Sequence, residues 1–577
     1  MLVAPYLRKS GAYTVPHFLS ARYDGNAARL MGIIVLFSCS FTYVVAQIFA
    51  TAIIASPFLG ISFEIAVFVC LLGILLCSMF GGMRAVTWTQ VAQYIVLIIA
   101  YLIFVIWLST KDFGVPLPQF IYGGALQEIA SLEQGVIAAG LAPETMRTHP
   151  DPFTSYNPLN YFALILCLMV GTASLRHILM RYFTTPSVRD ARMSVGWSLF
   201  FIFLLYFTVP AYAAFAKLEV YQNVIGAGLD ALPAWIYTYG NLNLVSVCGA
   251  AATEVAAVMA ACGAIDGHEG LLRWQDLTIN TDVIVISTPE IAGLPYVIAG
   301  LVAAGGLAAA LSTADGLLLA IANALSHDIY YKMIDPNAPA YRRLVIARTL
   351  LVLVAIAAAD TASARPADIL SMVAWAFSLA GAGLLPALLM GVWSNKTTTV
   401  AAIAGMFVGL SITLFYLVVT RYFPLQGATW FGMWANTNAV TGLPMVDVQA
   451  ALLLPHEEAA AMIHSKVGWF GLNNISAAIF ERVTGRSETD ETGFWIWLVG
   501  MALIALPAFG KFLAFGFSEA AAAGRASGRR VSGAGRPYQP TEAWLMLDPA
   551  HRPPAEIAQR AAGVTLFNAR IAFWLQP

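Results

Sequence analysis

The chain has 577 residues, 59% of them hydrophobic and 11% charged, with a formal net charge of −1. Soluble domains carry about 25% charged residues, so a soluble globular protein is excluded and a polytopic membrane protein is implied. The near-zero charge gives no reason to invoke nucleic acid as a partner.

Residues 1–29 are polar and basic (Arg8, Lys9, Arg22, Arg29) and read as a cytoplasmic loop. Apolar runs that can span a hydrocarbon core of ~30 Å follow at 30–54, 62–80, 86–108, 158–180, 193–216, 293–326, 343–360, 367–393, 397–419 and 494–516. The Lys/Arg excess sits in the amino-terminal segment, at Arg84, in 181–192, in 332–348, at Lys396 and after 517. These fall on one side if the runs alternate. The positive-inside rule makes that side the cytoplasm and places both ends of this chain there, in an integral plasma (inner) membrane protein.

The stretches 109–157, 217–292 and 420–492 are then extracytoplasmic, and their length predicts a folded outer cap. Segment 241–263 is apolar, but counting it as a span would invert every later basic loop and leave Glu254 in lipid. It reads as an outer helix or a re-entrant piece packed on protein. Within it, Cys248 and Cys262 are placed to pair if that face is oxidising. Cys39, Cys70, Cys77 and Cys167 lie in apolar runs and read as buried hydrophobes. The tail, 517–577, is rich in Ala, Gly, Arg and Pro and is expected to be mostly disordered.

Run 293–326 carries the chemistry. Ser312, Thr313 and Asp315 stand near its middle, where polar groups are costly unless they bind something or face a cavity. Small neighbours (Ala308, Ala309, Ala310) let helices approach closely and crowd oxygens around a small hard cation, which points to a transporter. The alternative is that both hydroxyls bond back to carbonyls one turn earlier. Asp315 follows Ser312 by three residues and shares nearly the same face. It reads as a second cation ligand, a proton acceptor, or the partner of a group on another helix. No metal cluster or nucleophile–base pair stands at membrane depth, so an enzyme is not expected.

Several stretches resemble the sodium:solute symporter family: GGMRAVTWTQVAQY (Gly81–Tyr94), GTASLRHILMRYFTTPSVRDARMS (Gly171–Ser194) and ALSHDIYYK (Ala324–Lys332). The last two are similar to its cation/acetate symporter branch. The run PEIAGLPYVIAGLVAAGGLAAALSTADGLLLAIANALSHD resembles the large component of two-component sodium:solute symporters. YLRKSGAYTVPHFLSARYDGNAAR (Tyr6–Arg29) resembles the loop that joins the family's second and third core helices. The resemblance covers about residues 1–420.

It implies an all-α membrane protein of the leucine-transporter fold, two inverted five-helix repeats with sites at the midplane on broken helices. Residues 30–108 would then hold the third to fifth core helices, with a turn at Gly81–Gly82. Residues 158–216 would hold the sixth and seventh, 293–419 the eighth onward, and 493–516 the last helix. The first two core helices have no counterpart, and a sodium ion needs about five or six oxygens. This chain alone is therefore expected to be inactive, the rest coming from upstream of Met1 or from another polypeptide, unless the gene is broken.

By the same resemblance, Ala309, Ser312 and Thr313 line the principal sodium site. Gly171, Thr172, Ala173 and Ser174 fall where the sixth helix unwinds and frees N–H groups for a carboxylate; a small-residue packing face is the alternative. His177 and Arg181 read as an inner gate or as interfacial anchors, and Arg176 departs from the acetate branch, which has Pro there. Tyr43 and Gln47, spaced i, i+4, border the substrate cavity or make a packing bond. Gln90 stands where many symporters carry Asp, which disfavours a second sodium there, and Gln93 is a weaker candidate of the same kind. The expected function is sodium-coupled symport of a small organic anion, a short monocarboxylate such as acetate, with sodium as coupling ion and no other cofactor or metal. A non-transporting sensor or scaffold and a proton-coupled symporter are the alternatives. The branch resemblance adds a small two-helix membrane subunit as partner.

Overall fold

The computed structural model describes residues 4–12, 14–143, 146, 149, 158–184, 187–394 and 397–423. The expected span 494–516 and tail 517–577, and all but the first residues of loop 420–492, lie outside the described residues.

The basic amino-terminal segment is helical rather than a loop. It forms α1 (Ala4–Lys9) and α2 (Val15–Tyr23). Thr14 accepts the His17 N–H as N-cap, and Pro16 in the first turn needs no intrahelical donor. Val15, Phe18, Leu19 and Tyr23 are spaced to share a face and are buried. That spacing turns a charged segment into a packed one.

Helix α3 (Asn26–Leu59) ends at Gly60, whose φ of 65° is the left-handed geometry of a helix stop. Helix α4 (Phe63–Phe113) is helical over 51 residues, yet Phe63 meets Phe49 of α3 while Ala100 stands against Gly305 farther along the chain, whose neighbour Gly306 faces Ile54 of α3. A straight helix would part Phe63 from Ala100 by about 55 Å, so α4 folds back between its apolar stretches Phe63–Met79 and Val86–Phe113, where the Gly81–Gly82 turn is expected. Two adjacent glycines, lacking a Cβ, make such a bend inexpensive.

Helices α5 (Pro118–Ala138), α6 (Pro158–Ser174) and α7 (Arg176–Thr184) follow, so run 158–180 is broken at Leu175. Run 193–216 is likewise divided between α8 (Val188–Tyr206) and α9 (Val209–Asn223), with Pro210 in the first turn of the second piece. After α10 (Ala234–Gly240) come strands β1 (Val245–Val247) and β2 (Ala250–Ala251), helix α11 (Val255–Gly263), strand β3 (Leu277–Ile279) and α12 (Ile284–Ile291). Helix α13 (Tyr296–Asn323) continues as a π-helix over Ala324–Ile334. The described chain closes with α14 (Ala340–Ser363), α15 (Ile369–Gly383), α16 (Leu385–Trp393) and α17 (Thr399–Tyr422). Among the described residues, seven helical stretches are long and apolar enough to cross a membrane. Ile95, Ile99, Ile103 and Trp107 form an exposed stripe on α4, and Trp197, Phe200 and Phe203 are exposed on α8. Exposed apolar surface of this kind suits lipid contact.

Segment 241–263 is not a span. It is shared between a small antiparallel sheet, ordered β2-β1-β3, and the nine-residue α11, about 14 Å long and too short to cross a bilayer. Cys248, between β1 and β2, and Cys262, within α11, are joined in a disulfide. Two buried acids pin neighbouring helices. Glu219 on α9 takes Lys111 Nζ of α4 at 2.6 Å, and Glu133 on α5 takes Lys217 Nζ of α9 at 2.7 Å. Removing one partner of such a pair leaves a buried charge uncompensated.

At the head of α15, Asp282 accepts the Ile369 N–H at 3.1 Å. It borders a cavity of about 400 Å³ with Phe49, Ser56, Arg365 and Asp368. Burial pushes the Asp282 carboxyl up to about 6; the Ile369 N–H opposes the rise and Asp368 adds to it. A raised carboxyl pKa favours the folded state fully at low pH, and this contribution is lost as pH climbs through about 6. The melting temperature of the wild type relative to Asp282→Asn is accordingly expected to fall between about pH 4 and pH 6, followed by tryptophan fluorescence in detergent. A difference that does not vary with pH contradicts this assignment.

Candidate functional site

The middle of α13 is rich in alanine and glycine, which suits both a helix and close packing. A Cβ at Gly305 would lie 2.7 Å from Ala100 Cβ of α4, and one at Gly306 would lie 3.0 Å from Ile54 of α3. Ala324, just past the end of α13, meets Ile33 and Leu36 near the start of α3. Helix α13 thus lies wedged between α3 and α4 and runs antiparallel to α3 and to the carboxy-terminal half of α4.

In this wedge Ser312 Oγ donates to the Ala309 carbonyl at 2.8 Å, and Thr313 Oγ1 donates to the same oxygen at 3.3 Å. Three oxygens therefore gather at one point. The back-bonding geometry and a cation site are compatible here, because a hydroxyl that donates its proton keeps its lone pairs. Hard oxygen donors fit sodium chemically. Asp315 is 1% exposed. Its Oδ1 accepts from Ser78 Oγ of α4 at 2.9 Å, while its buried Oδ2 has no hydrogen-bond partner.

Gln90 on α4 links this region to α7. Its Nε2 donates to the Ser312 carbonyl, and its Oε1 accepts from Arg181 Nη2. Arg181 also donates to Thr87 Oγ1 at 3.1 Å. The guanidinium is thus turned into the protein. Gln93 lies one turn on, its Oε1 buried without a partner.

One turn before Arg181, the His177 ring lies 5.7 Å from that of Tyr43 on α3, which in turn meets Phe377 of α15 at 5.4 Å. Gly171 closes this second group, for a Cβ there would stand 2.8 Å from Phe377 Cα. The sixth-helix break falls at Leu175, just past Gly171–Ser174. Its backbone stays bonded across, since Leu175 N–H reaches the Gly171 carbonyl at 3.1 Å. Thr172 and Ser174 turn their hydroxyls back to carbonyls of α6. Thr172 and Ala173 are exposed, and Gln47 is buried one turn from Tyr43 on α3.

The structure therefore forms two neighbouring groups, Ala309–Ser312–Thr313 with Gln90 and Arg181, and Tyr43–His177–Phe377 with Gly171. Helix α7 carries one residue of each.

Sequence reasoning missed Ser78, which sits in an apolar run whose inward face only packing reveals. It also assigned no role to Asp328, which is fully buried. Thr14 Oγ1 donates to its two carboxylate oxygens at 3.0 and 2.8 Å, and His327 Nδ1 lies 3.1 Å from one of them. The signal was the SHD motif beside the Thr-Val-Pro-His cap of α2. A donor grouping of Cys248, Cys262 and His268 also exists, but its two sulfurs are bonded to each other.

The fit of Gly171 against Phe377 is tight enough to test. Gly171→Ala should force α6 from α15 at a cost of about 1–3 kcal/mol, seen as a lowered melting temperature. Adding Phe377→Ala, which keeps the Cα and Cβ that the new methyl meets, should not restore it, and full recovery in the double variant contradicts the backbone contact.

The model of the sodium:solute symporter family matches residues 1–262 and 279–409. An uncharacterized symporter of Cupriavidus necator is 37% identical over 555 residues, covering 79% of each chain. A solved structure of a Na+-coupled sialic acid symporter, in a substrate-bound outward-open state, aligns with 73% of this chain and 74% of its own. At 17% identity and a TM-score of 0.49, that likeness is too slight to bear on function. By the family match and the Cupriavidus relative, the chain belongs to the sodium:solute symporter family.

Proposed function

We propose that this protein is a secondary active transporter in which sodium, bound at Ala309, Ser312 and Thr313, drives symport of a small organic anion. A short monocarboxylate such as acetate is the substrate class proposed. The observation that carries the reading is the convergence of two hydroxyls on one carbonyl in the helix wedged between α3 and α4. Sodium there would draw on their lone pairs and on the Ala309 carbonyl. Binding would also hold α13 in register against its neighbours, which makes it sensitive to any motion of those helices.

Each remaining group has a part in this proposal. Tyr43 and Gln47 would border the solute cavity with Gly171–Ser174, and His177 would close it from α7. Arg181, held by Gln90 and Thr87, would act as an inner gate, because its release frees α7 from α4. The bridge through Gln90 to the Ser312 carbonyl gives such a gate a direct route to the sodium ligands. One sodium with one monoanion moves no net charge. A second cation would add ~2.3 kcal/mol per 100 mV of membrane potential. The exposed apolar stripes would face lipid, with room there for a small two-helix subunit. The orientation proposed puts the π-helical end of α13 at the cytoplasm.

Ser312→Ala and Thr313→Ala each delete one sodium oxygen. Each is expected to raise the sodium concentration for half-maximal uptake by about 10- to 100-fold, or about 1.4–2.7 kcal/mol. The assay is accumulation of radiolabelled acetate under a sodium gradient, with choline as control, in membrane vesicles of source cells, where any upstream or partner helices accompany the chain. Unchanged sodium dependence in both variants would sink the site. Sodium binding without accumulation of acetate or other short monocarboxylates would favour a sensor.

A further inference from the structure

The cavity beside Asp282, about 400 Å³ in volume, shares no residue with the two groups described above. Its walls are largely apolar: Phe49 and Ile53 of α3, Phe63 of α4, and Leu242 and Leu244 from the segment leading into β1. The Phe49 and Phe63 rings meet edge-on at 5.3 Å. A space of this size holds a small organic molecule. Three charged side chains, Asp282, Arg365 and Asp368, also stand on the lining, and they are unequally engaged.

Asp368 turns its oxygens to Ser371, taking the N–H at 2.9 Å and the hydroxyl. Asp282 accepts the Ile369 N–H, at 3.1 and 3.3 Å from its two oxygens. Among the described residues no Lys, Arg or His forms an ion pair with it. Its oxygens have lone pairs to spare, and a carboxyl lifted only to about 6 is mostly ionised at neutral pH. A partly buried carboxylate with no cation beside it is costly. Arg365 is the complementary group. It follows α14 with φ 48°, the left-handed geometry that glycine adopts freely and other residues rarely do. Its guanidinium lies over the Phe63 ring, 4.3 Å from the centroid. Glu64 takes one N–H at a long 3.4 Å, in an exposed pair of a kind that contributes little. The rest of the fork suits a carboxylate. Ile369, which Asp282 holds, is only four positions past Arg365, so the opposite charges flank one small space. A strained backbone that presents a charge beside a cavity points to a use for that charge.

We infer that this cavity binds a small zwitterion with an apolar body, its carboxylate on Arg365, its ammonium on Asp282 and its hydrocarbon against Phe49, Ile53 and Leu244. An anion alone would leave Asp282 unmet, and a cation alone would leave Arg365 unmet. In the orientation proposed above, the cavity is on the extracytoplasmic side, where the chain meets such a molecule before any transport step. The inference does not rest on the sodium site.

The test is equilibrium binding to the full chain in lipid nanodiscs, in potassium chloride without sodium, so that the sodium site stays out of the measurement. Radiolabelled leucine is the probe. It is set against 4-methylpentanoate, which lacks the ammonium, and 3-methylbutylamine, which lacks the carboxylate. Leucine should bind about 10- to 100-fold more tightly than either. Asp282→Asn, which still accepts the Ile369 N–H, should lower leucine to the affinity of 4-methylpentanoate. Arg365→Gly removes the guanidinium and relieves the backbone, so it should lose leucine binding by a similar factor while melting no lower than the wild type. Either analogue binding as tightly as leucine overturns the zwitterion. Absence of leucine binding in the wild type, or unchanged binding in either variant, overturns the site. A lowered melting temperature in Arg365→Gly overturns the strained presentation of the guanidinium.

Discussion

The close approach of α13 to α3 and α4 is the constraint on which the rest of the molecule depends. Gly305 and Gly306 have no Cβ where one would strike Ala100 and Ile54, and the alanines beside them keep the separation small. Helices brought this near exclude water and leave polar groups only each other or a ligand. The hydroxyls of Ser312 and Thr313 meet that demand on the Ala309 carbonyl, and Asp315 meets half of it on Ser78. A larger residue at either glycine would part the helices and dissolve both arrangements together.

The ends of the wedge are fixed by different chemistry. On one side the buried carboxylates of Glu219 and Glu133 take Lys111 and Lys217, so α4, α5 and α9 are held by paired charges. On the other, the buried carboxylate of Asp328 takes the Thr14 hydroxyl from the cap of α2. The middle has neutral donors, one acid, and the Arg181 guanidinium held by Gln90 and Thr87. Charge is thus paired with lysines at one end and met by a hydroxyl at the other, while Asp315 at the centre has only Ser78.

Much of this was legible in the sequence, and the exceptions have physical causes. Hydropathy located the helices because a bilayer-spanning segment must be apolar along its length, and the depth of Ser312, Thr313 and Asp315 marked them as costly. The breaks at Leu175 and before Pro210 were invisible to a hydropathy run, which does not distinguish a kinked helix from a straight one. The fold-back of α4 near Gly81–Gly82 was legible, because paired glycines are where a helix bends at least cost. The amino-terminal helices were hidden by their charges, although Val15, Phe18, Leu19 and Tyr23 carried the period. Ser78 and the Thr14–Asp328 bond join residues hundreds of positions apart, and no local pattern announces such pairs. Arg181 looked like an interfacial anchor because its partner, Gln90, lies on another helix.

The central claim is that α13 presents Ala309, Ser312 and Thr313 as one oxygen site. An experimental structure of the full chain in sodium and again in choline tests it most directly. The account predicts a density peak, in sodium alone, within coordination distance of the Ala309 carbonyl and both hydroxyl oxygens. Hydroxyls that stay bonded only to Ala309 in both salts, with no peak between them, would contradict it.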